Sequence, residues 1–560
     1  MALVYKKMEA GERDMFIYFP EIPMRSPFRR YGLVIVRPDA SRASAEKIME
    51  TWGLKALADR EALVISFPNP GDGGWRLSDL EQEINLLRDM ENEMCTSGSA
   101  SITYTSKGIP DISSMMQRWH LMNDTRYYIG IGDGASVVYG LCLLYPESAA
   151  GIACIGGQVC GDMLHKAVTA PVPAWLYQAP EDLLRFLVTK DNGAELTRED
   201  KDKCIYENHL SPLMRVISWK QKPVLDSYWM QTVYMEFFKN IRRINTGTHG
   251  DIDARMDDAA GLFECHLEDT GLADGLAHTW FIHIPETVKY GNLKVPLMMF
   301  LHGGSDNPAE AAEMSRFHEI GEKEGFITVY PWGTNRASWN SDCSPDDADD
   351  DAYLLALVRH MIDKYPVDAS RIYVSGFSNG AAQAQVFAML HPELTAGLCH
   401  IDSNWPGKRN GITELSIEDV RPFVMAMERK KQFDYRMPVW YTYGTREPSY
   451  PVYLGCSQQH QYDFWKSYNN IPIKETPPKE QPDPCGCGVA GDEREQLYPL
   501  KGYPHLWYDV QRFYTMEGQN LYNYVVVHDK GHDIAPADAW LGWNYVKNFR
   551  RRPDGGLEQC

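Results

Sequence analysis

Arg371-Ile372-Tyr373-Val374-Ser375-Gly376-Phe377-Ser378-Asn379-Gly380-Ala381-Ala382 reads as a buried β-strand that runs into a Gly-x-Ser-x-Gly turn and then opens a helix. In that context Ser378 is a candidate nucleophile. A serine on such a turn sits on a strained strand-to-helix elbow with its Oγ exposed, and Gly376 and Gly380, lacking a Cβ, let the helix approach the strand closely. Upstream, Val295-Pro296-Leu297-Met298-Met299-Phe300-Leu301 is an apolar run of buried-strand type, followed at once by His302-Gly303-Gly304-Ser305. A glycine turn at a strand end can aim a backbone N–H at a developing oxyanion, and the residue after the nucleophile supplies a second donor. Gly304 and Asn379 are therefore the candidate oxyanion donors.

A serine at its ordinary pKa is a poor nucleophile and needs a general base, oriented in turn by an acid. Chain order Ser, acid, His is satisfied here. Met437-Pro438-Val439-Trp440-Tyr441-Thr442-Tyr443 reads as another buried strand, ending in Gly444-Thr445-Arg446-Glu447-Pro448, which makes Glu447 the candidate acid. Tyr522 to Val527 reads as a strand whose exit, His528-Asp529-Lys530-Gly531-His532-Asp533-Ile534, carries two histidines. His532 follows a glycine on the loop, where its ring can swing over Ser378, whereas His528 ends the strand and is expected to pack. Asp402, at the end of the strand after the elbow, and Asp533, beside the histidine, remain rival acids.

With these residues in place, the segment from about Thr279 onward resembles the poly(3-hydroxybutyrate)-depolymerase-like esterases, an α/β-hydrolase group that also holds feruloyl and acetyl-xylan esterases. The resemblance rests on His302-Gly303-Gly304, Trp339-Asn340, Asp350-Asp351, Asp368 to Val374, Gly376-Phe377-Ser378-Asn379-Gly380, Gly444-Thr445-Arg446-Glu447 and Gly531-His532. Two departures stand out. Glu447 occupies the place of the family's usual aspartate, and Asp533-Ile534 replaces the usual aromatic-proline pair. The resemblance implies an α/β fold and a serine carboxylic-ester hydrolase acting on small or aromatic acyl esters (feruloyl, acetyl or hydroxyacyl), with no cofactor and no metal.

The first half of the chain repeats the second. Tyr127-Tyr128-Ile129-Gly130-Ile131-Gly132-Asp133-Gly134-Ala135 aligns with Tyr373 to Ala381, and the alignment stays ungapped as far as Ile155 against Ile401. Phe16 to Pro20 matches Phe281 to Pro285, and Lys239 to Arg243 matches Lys547 to Arg551. The expected architecture is two tandem α/β-hydrolase domains, each a mostly parallel sheet flanked by helices: 1–247, and a catalytic 248–560 beyond a Gly/Thr-rich linker at 245–251. The first copy has lost its chemistry. Gly132 takes the nucleophile position, Arg37-Pro38-Asp39 replace His302-Gly303-Gly304, and no histidine lies between Ser211 and Arg243. Asp182 aligns with Glu447 but has no imidazole to orient, so a surface carboxylate is its simplest reading. Gly130 to Ala135 also fits a dinucleotide-binding glycine loop, but Ile155-Gly156-Gly157 stands where the ribose-binding acid would be.

Composition fits two globular domains: 560 residues exceed what one core serves, and 44% hydrophobic content is ordinary for a folded chain. A formal net charge of −20 argues against nucleic acid and anionic membranes as partners. No signal-like start and no membrane-length apolar run are read, so the expectation is a cytoplasmic protein, with twelve cysteines suited to free thiols. Cys485-Gly486-Cys487 is too tight and isolated for a zinc site. The acidic cluster Asp346 to Asp351 is read as helix capping and not as a metal site. Arg429-Lys430-Lys431 is read as a solvated helix face.

The second copy is longer, with insertions near 404–436 and 448–508 that leave carboxyl ends of sheet strands, where α/β folds bind ligands. They are read as a cap over Ser378, with Trp405, Phe423, Met425 and Met427 as candidate pocket walls beside His302 and Gly303. A prolyl-oligopeptidase-type peptidase is the alternative enzyme, disfavoured because its restricting domain is usually β-rich. A non-catalytic tandem pseudo-hydrolase binding module is the alternative outside catalysis. The degenerate copy is expected to dock on the catalytic half, and a homo-oligomer is compatible with the sequence.

Overall fold

The computed structural model describes residues 3–7, 13–20, 31–92, 125–159, 161–244, 249–256, 262–291, 293–304, 306–334, 338–403, 421–447, 457–472, 491–497 and 506–560. The chain divides into two compact units, the first running to Asp258 and the second starting at Ala259. The expected boundary at 247 falls short of this. Asp251–Ala254 pairs antiparallel with Ile241–Ile244, and both strands belong to the first unit.

The first unit holds a ten-stranded sheet built from β1 (Val4–Lys7), β2 (Asp14–Tyr18), β3 (Tyr31–Val36), β4 (Leu63–Pro68), β5 (Arg126–Ile131), β6 (Gly151–Ile155), β7 (Ala174–Tyr177), β8 (Glu195–Glu199), β9 (Lys203–Glu207) and β10 (Arg215–Trp219), in the order β1-β2-β4-β3-β5-β6-β7-β10-β9-β8. Its hairpin strands are β11 (Ile241–Ile244) and β12 (Asp251–Ala254). The second unit holds β13 (Glu264–Asp269), β14 (His278–His283), β15 (Val295–Leu301), β16 (Ile327–Pro331), β17 (Val367–Phe377), β18 (Thr395–Ile401), β19 (Val439–Gly444), β20 (Glu493–Leu497), β21 (Trp507–Tyr514) and β22 (Asn520–His528), in the order β13-β14-β16-β15-β17-β18-β19-β22-β21-β20. The two orders are the same, position for position. In each, the central strands run parallel and the edges antiparallel, the mixed α/β-hydrolase arrangement. Continuous apolar runs such as β15 follow from this, because a parallel strand flanked by helices is buried on both faces.

Matching contacts fasten both units. The Tyr127 hydroxyl donates to Ile241 O at 2.6 Å and the Tyr373 hydroxyl to Phe549 O at 2.7 Å. Arg243 Nε donates to Ala149 O at 2.8 Å and Arg551 Nε to Thr395 O at 2.7 Å. Each guanidinium is buried, and burial lowers both to about 10. The residues shared between the two chain-end motifs are thus internal ties, one arginine per unit satisfying buried carbonyls.

Of the insertions expected to form a cap, residues 404–420, 448–456, 473–490 and 498–505 lie outside the described residues. The described part of the first is helix Arg421–Gln432, which buries Phe423 and Ala426 in the core; Phe423 meets Phe464 with ring centroids 4.4 Å apart. Parallel strands need a crossover of this kind, and the helix supplies the one from β18 to β19. Met425 is exposed, and Met427 packs against the core. The described parts of the second insertion are helix Ser457–Tyr468, which buries Phe464, Trp465 and Tyr468, and β20, which extends the sheet edge. Trp405 and Cys485 to Cys487 lie outside the described residues. Among the described residues, no helix is long and apolar enough to cross a membrane, and Cys142, Cys154 and Cys399 are buried free thiols.

Candidate active site

Ser378 stands between β17 and the helix Asn379–Leu390 with φ 53° and ψ −117°. A non-glycine residue in that region costs on the order of 1–3 kcal/mol and is kept only where its surroundings over-determine it. Two features impose it here. The Ser378 N–H donates to Ile401 O at 3.0 Å, and the helix lies so close to β15 that a Cβ on Gly380 would collide with the carbonyl oxygens of Leu301 and His302. Gly132 adopts φ 55° and ψ −122° at the same place in the first unit, and its N–H donates to Ile155 O, also at 3.0 Å. The elbow backbone is present in both units, but only the second carries a hydroxyl on it.

His532 Nε2 lies 2.9 Å from Ser378 Oγ, and its Nδ1 lies 2.7 and 2.9 Å from the two Glu447 oxygens. Glu447 is buried and His532 half-buried, with the Phe377 ring against the imidazole at 4.7 Å. The turn after β19 and the loop after β22 are tied together: Thr445 N–H donates to Val527 O, Arg446 N–H to Lys530 O at 2.9 Å, and Asp529 N–H to Thr445 Oγ1 at 3.0 Å. Residues 85 positions apart in sequence thereby meet. His528 takes the packing position, stacked on Trp507 at 3.4 Å.

The rival acids are engaged elsewhere. Asp533 Oδ1 accepts from Ile534 N–H at 2.7 Å. Asp402 Oδ2 accepts from Lys530 Nζ at 2.6 Å. Asp402, Glu447 and His532 do offer ligand atoms within 4.8 Å of one another. The atoms they offer are already used, in the serine and histidine bonds and in the ion pair, and the fully buried Lys530 ammonium would repel a second cation.

His302 does not line a pocket as expected. It is fully buried, Nδ1–H donating to Gly303 O at 2.6 Å and Nε2 accepting from Gly333 N–H at 3.0 Å, while burial lowers it to about 4 and so keeps it neutral. It shapes the turn from within. Gly303 is also buried, its N–H donating to Asp306 at 3.1 Å, which leaves Gly304 exposed at the tip of the turn. The Asn379 side chain, unassigned from sequence, accepts from Trp339 N–H at 2.6 Å, and the Trp339 indole donates to His302 O at 2.9 Å. Asp350, buried and raised by that burial, accepts from Thr334 N–H at 3.0 Å and Asn340 N–H at 2.8 Å. Asp349 caps the following helix through Ala352 N–H at 3.0 Å. The separate motifs Trp339-Asn340 and Asp350 are parts of one scaffold around the turn. In the first unit Trp75 Nε1 donates to Arg37 O at 2.7 Å in the same way, but the buried Arg37 guanidinium, bonded to Asn69 Oδ1 at 2.9 Å, fills that turn. Asp182 is exposed on a helix of that unit.

Residues 282–406 match the family described as "Esterase PHB depolymerase". Feruloyl esterase B of Neurospora crassa is 29% identical over 109 residues, 18% of this chain and 36% of that protein. Poly(3-hydroxyalkanoate) depolymerase C of Paucimonas lemoignei is 30% identical over 128 residues, 22% of this chain and 30% of that protein. The chain thus spans about a third of the length of these curated relatives. Among solved structures, an acetyl xylan esterase from Aspergillus awamori superposes with a TM-score of 0.36 at 15% identity, covering 51% of this chain and 98% of the other.

Proposed function

We propose, from the match of residues 282–406 to that esterase family and the contacts around Ser378, that the second unit is a serine carboxylic-ester hydrolase. The observation that carries the reading is the unbroken line Ser378 Oγ, His532 Nε2, His532 Nδ1, Glu447. Ser378 Oγ attacks the ester carbonyl carbon as its proton passes to His532 Nε2. The carbonyl oxygen becomes an oxyanion facing the Gly304 and Asn379 N–H groups. His532 then protonates the departing alkoxide, leaving an acyl-Ser378, and a water deprotonated by His532 releases the acid. Glu447 holds the imidazole in the Nδ1–H tautomer and stabilises the imidazolium. The relatives' printed names favour feruloyl, acetyl or hydroxyacyl esters as substrates. The first test is a panel of feruloyl, acetyl and butyryl esters beside aminoacyl-nitroanilides, with fluorophosphonate labelling of Ser378. Ester turnover with labelled Ser378 is expected. Faster turnover of nitroanilides would reassign the enzyme as a peptidase, and an unlabelled Ser378 would favour a binding module.

The first unit, in this reading, is a degenerate duplicate whose retained role is to dock on and stabilise the catalytic unit. Its identical strand order and its Tyr127 and Arg243 ties support a domain kept for its fold. Because β12 completes the first unit, the isolated catalytic fragment should begin at Ala259. Residues 259–560 expressed alone are expected to aggregate or to melt well below the full chain. A monomeric fragment with full activity and an unchanged thermal midpoint would rule the docking role out.

A further inference from the structure

Behind the triad lies a second charged cluster that the reaction just described does not use. Lys530 is fully buried, two residues before His532. Its ammonium donates to Asp402 Oδ2 at 2.6 Å and to Asp533 O at 2.7 Å, and lies 3.3 Å from Asp538 Oδ2. Asp402 and Asp538 are buried as well; Asp402 Oδ1 accepts from Gly444 N–H at 3.2 Å, and Asp538 accepts from the Tyr508 hydroxyl at 2.8 Å and Ala535 N–H at 3.0 Å. The charged groups converging on this spot are therefore Asp402 from the end of β18, Glu447 from the turn after β19, Asp538 from the helix Pro536–Val546, and Lys530 with His532 from the loop after β22.

Asp402 is the unusual member. A carboxylate oxygen of it sits within 4.8 Å of both the Glu447 and His532 atoms of the triad, and its backbone holds φ 48°, a left-handed conformation that disfavours a side chain. Asp402 holds in its own sheet the place that Gly156 holds in the sheet of the first unit: Asp402 N–H donates to Thr442 O at 2.8 Å, Gly156 N–H to Tyr177 O at 3.0 Å, and Gly156 has φ 71°. At two left-handed positions of the site, 378 and 402, the first unit has glycine and the second unit bears a reactive or charged side chain. Strain kept at a site where glycine would relieve it points to a use for the side chain and for the group that neutralises it.

We propose that Lys530 is a positioning residue for the triad: its ammonium, sealed between Asp402 and Asp538, neutralises a second carboxylate that would otherwise compete with Glu447 for the His532 imidazole. Two carboxylates facing one another in a water-poor site cannot both stay ionised without a cation. Burial drives the Asp402 carboxyl upward, and the Lys530 charge opposes that drive. Burial works against the Lys530 ammonium, but Asp402 and Asp538 outweigh it and raise its pKa. Without Lys530, Asp402, Glu447 and His532 as a group should take up an extra proton at higher pH, and the acid limb of kcat/KM belongs to that group as a whole.

This inference rests on the esterase reading, and its test is arranged to separate the two. Lys530→Met, Asp402→Asn and the double variant Lys530→Met/Asp402→Leu are assayed in the full chain on a short p-nitrophenyl ester, with kcat, KM and the pH profile of kcat/KM measured for each. Lys530→Met is expected to lower kcat at neutral pH at least tenfold with KM within about twofold, and to move the acid limb up by about one pH unit. Asp402→Asn, which leaves the ammonium without its nearest counter-charge, is expected to move the limb down. The double variant, with both charges gone, should place it back at the wild-type position. Acid limbs that do not move, or that move the same way in both single variants, overturn the proposal. Should Lys530→Met fail to fold, as its thermal melt would show, Asp402→Asn and the double variant decide by the same criterion. Failure of the esterase reading would look different: the wild-type chain itself would show no hydrolysis dependent on Ser378.

Discussion

Ser378→Ala is expected to lower kcat for short p-nitrophenyl esters by about 10⁴- to 10⁶-fold, with KM nearly unchanged, because the acyl-enzyme route is closed while the binding surface stays. The residual rate above the uncatalysed one would come from the oxyanion turn alone. The same variant should melt no lower than the wild type. Ser378 holds φ 53° at a cost on the order of 1–3 kcal/mol, and its hydroxyl is half of one hydrogen bond. Ser378→Gly, which copies Gly132 of the first unit, should be equally inactive and melt higher. Equal hydrolysis rates for wild type and Ser378→Ala would sink the assignment.

Glu447→Gln should cost about 10³- to 10⁴-fold in kcat, again with little change in KM. The isosteric amide can present an N–H to His532 Nδ1, which would leave the proton on Nε2 facing Ser378, the wrong tautomer for a base. Glu447 is buried and both of its oxygens lie within 2.9 Å of Nδ1, so no water can take its place without rebuilding the turn. A Glu447→Gln variant that kept more than a tenth of wild-type kcat would move the acid's role to Asp402, the next carboxylate in reach of the imidazole. This comparison also tests the departure at this position, where the resembling family usually carries aspartate.

The candidate site was largely legible because its parts are local patterns with physical causes. A buried strand followed by Gly-Phe-Ser-Asn-Gly leaves few backbone solutions, and the positive φ at Ser378 is what the flanking glycines permit. His532 could be told from His528 because one follows a glycine on a loop and the other ends a strand. What escaped were roles set by burial. His302 reads as a pocket residue from its motif, yet both its ring nitrogens are spent inside the chain. Lys530, two residues from a candidate base, looks like any solvated loop lysine until the strands bring Asp402 and Asp538 around it. Pocket-wall roles inside the insertions were equally out of reach: Phe423 reads as a wall from its position, yet helix Arg421–Gln432 buries it with Ala426 in the core, as a crossover helix on a parallel sheet must.

By itself, the sequence determined the sheet class, the elbow, the chain order of the candidate nucleophile, acid and base, and the presence of Gly132 and Arg37 in the first half where the second has Ser378 and His302. Each depends on residue identity at short range, where strand periodicity, glycine and chain order act directly. Only the tertiary structure decided which carboxylate faces the imidazole, where the first unit ends, and that a buried lysine pairs with Asp402 beside His532 and Glu447. Those are outcomes of pairings between residues 85 and 128 positions apart or of strands closing a hairpin, and electrostatics among buried groups depends on distances that chain order does not encode.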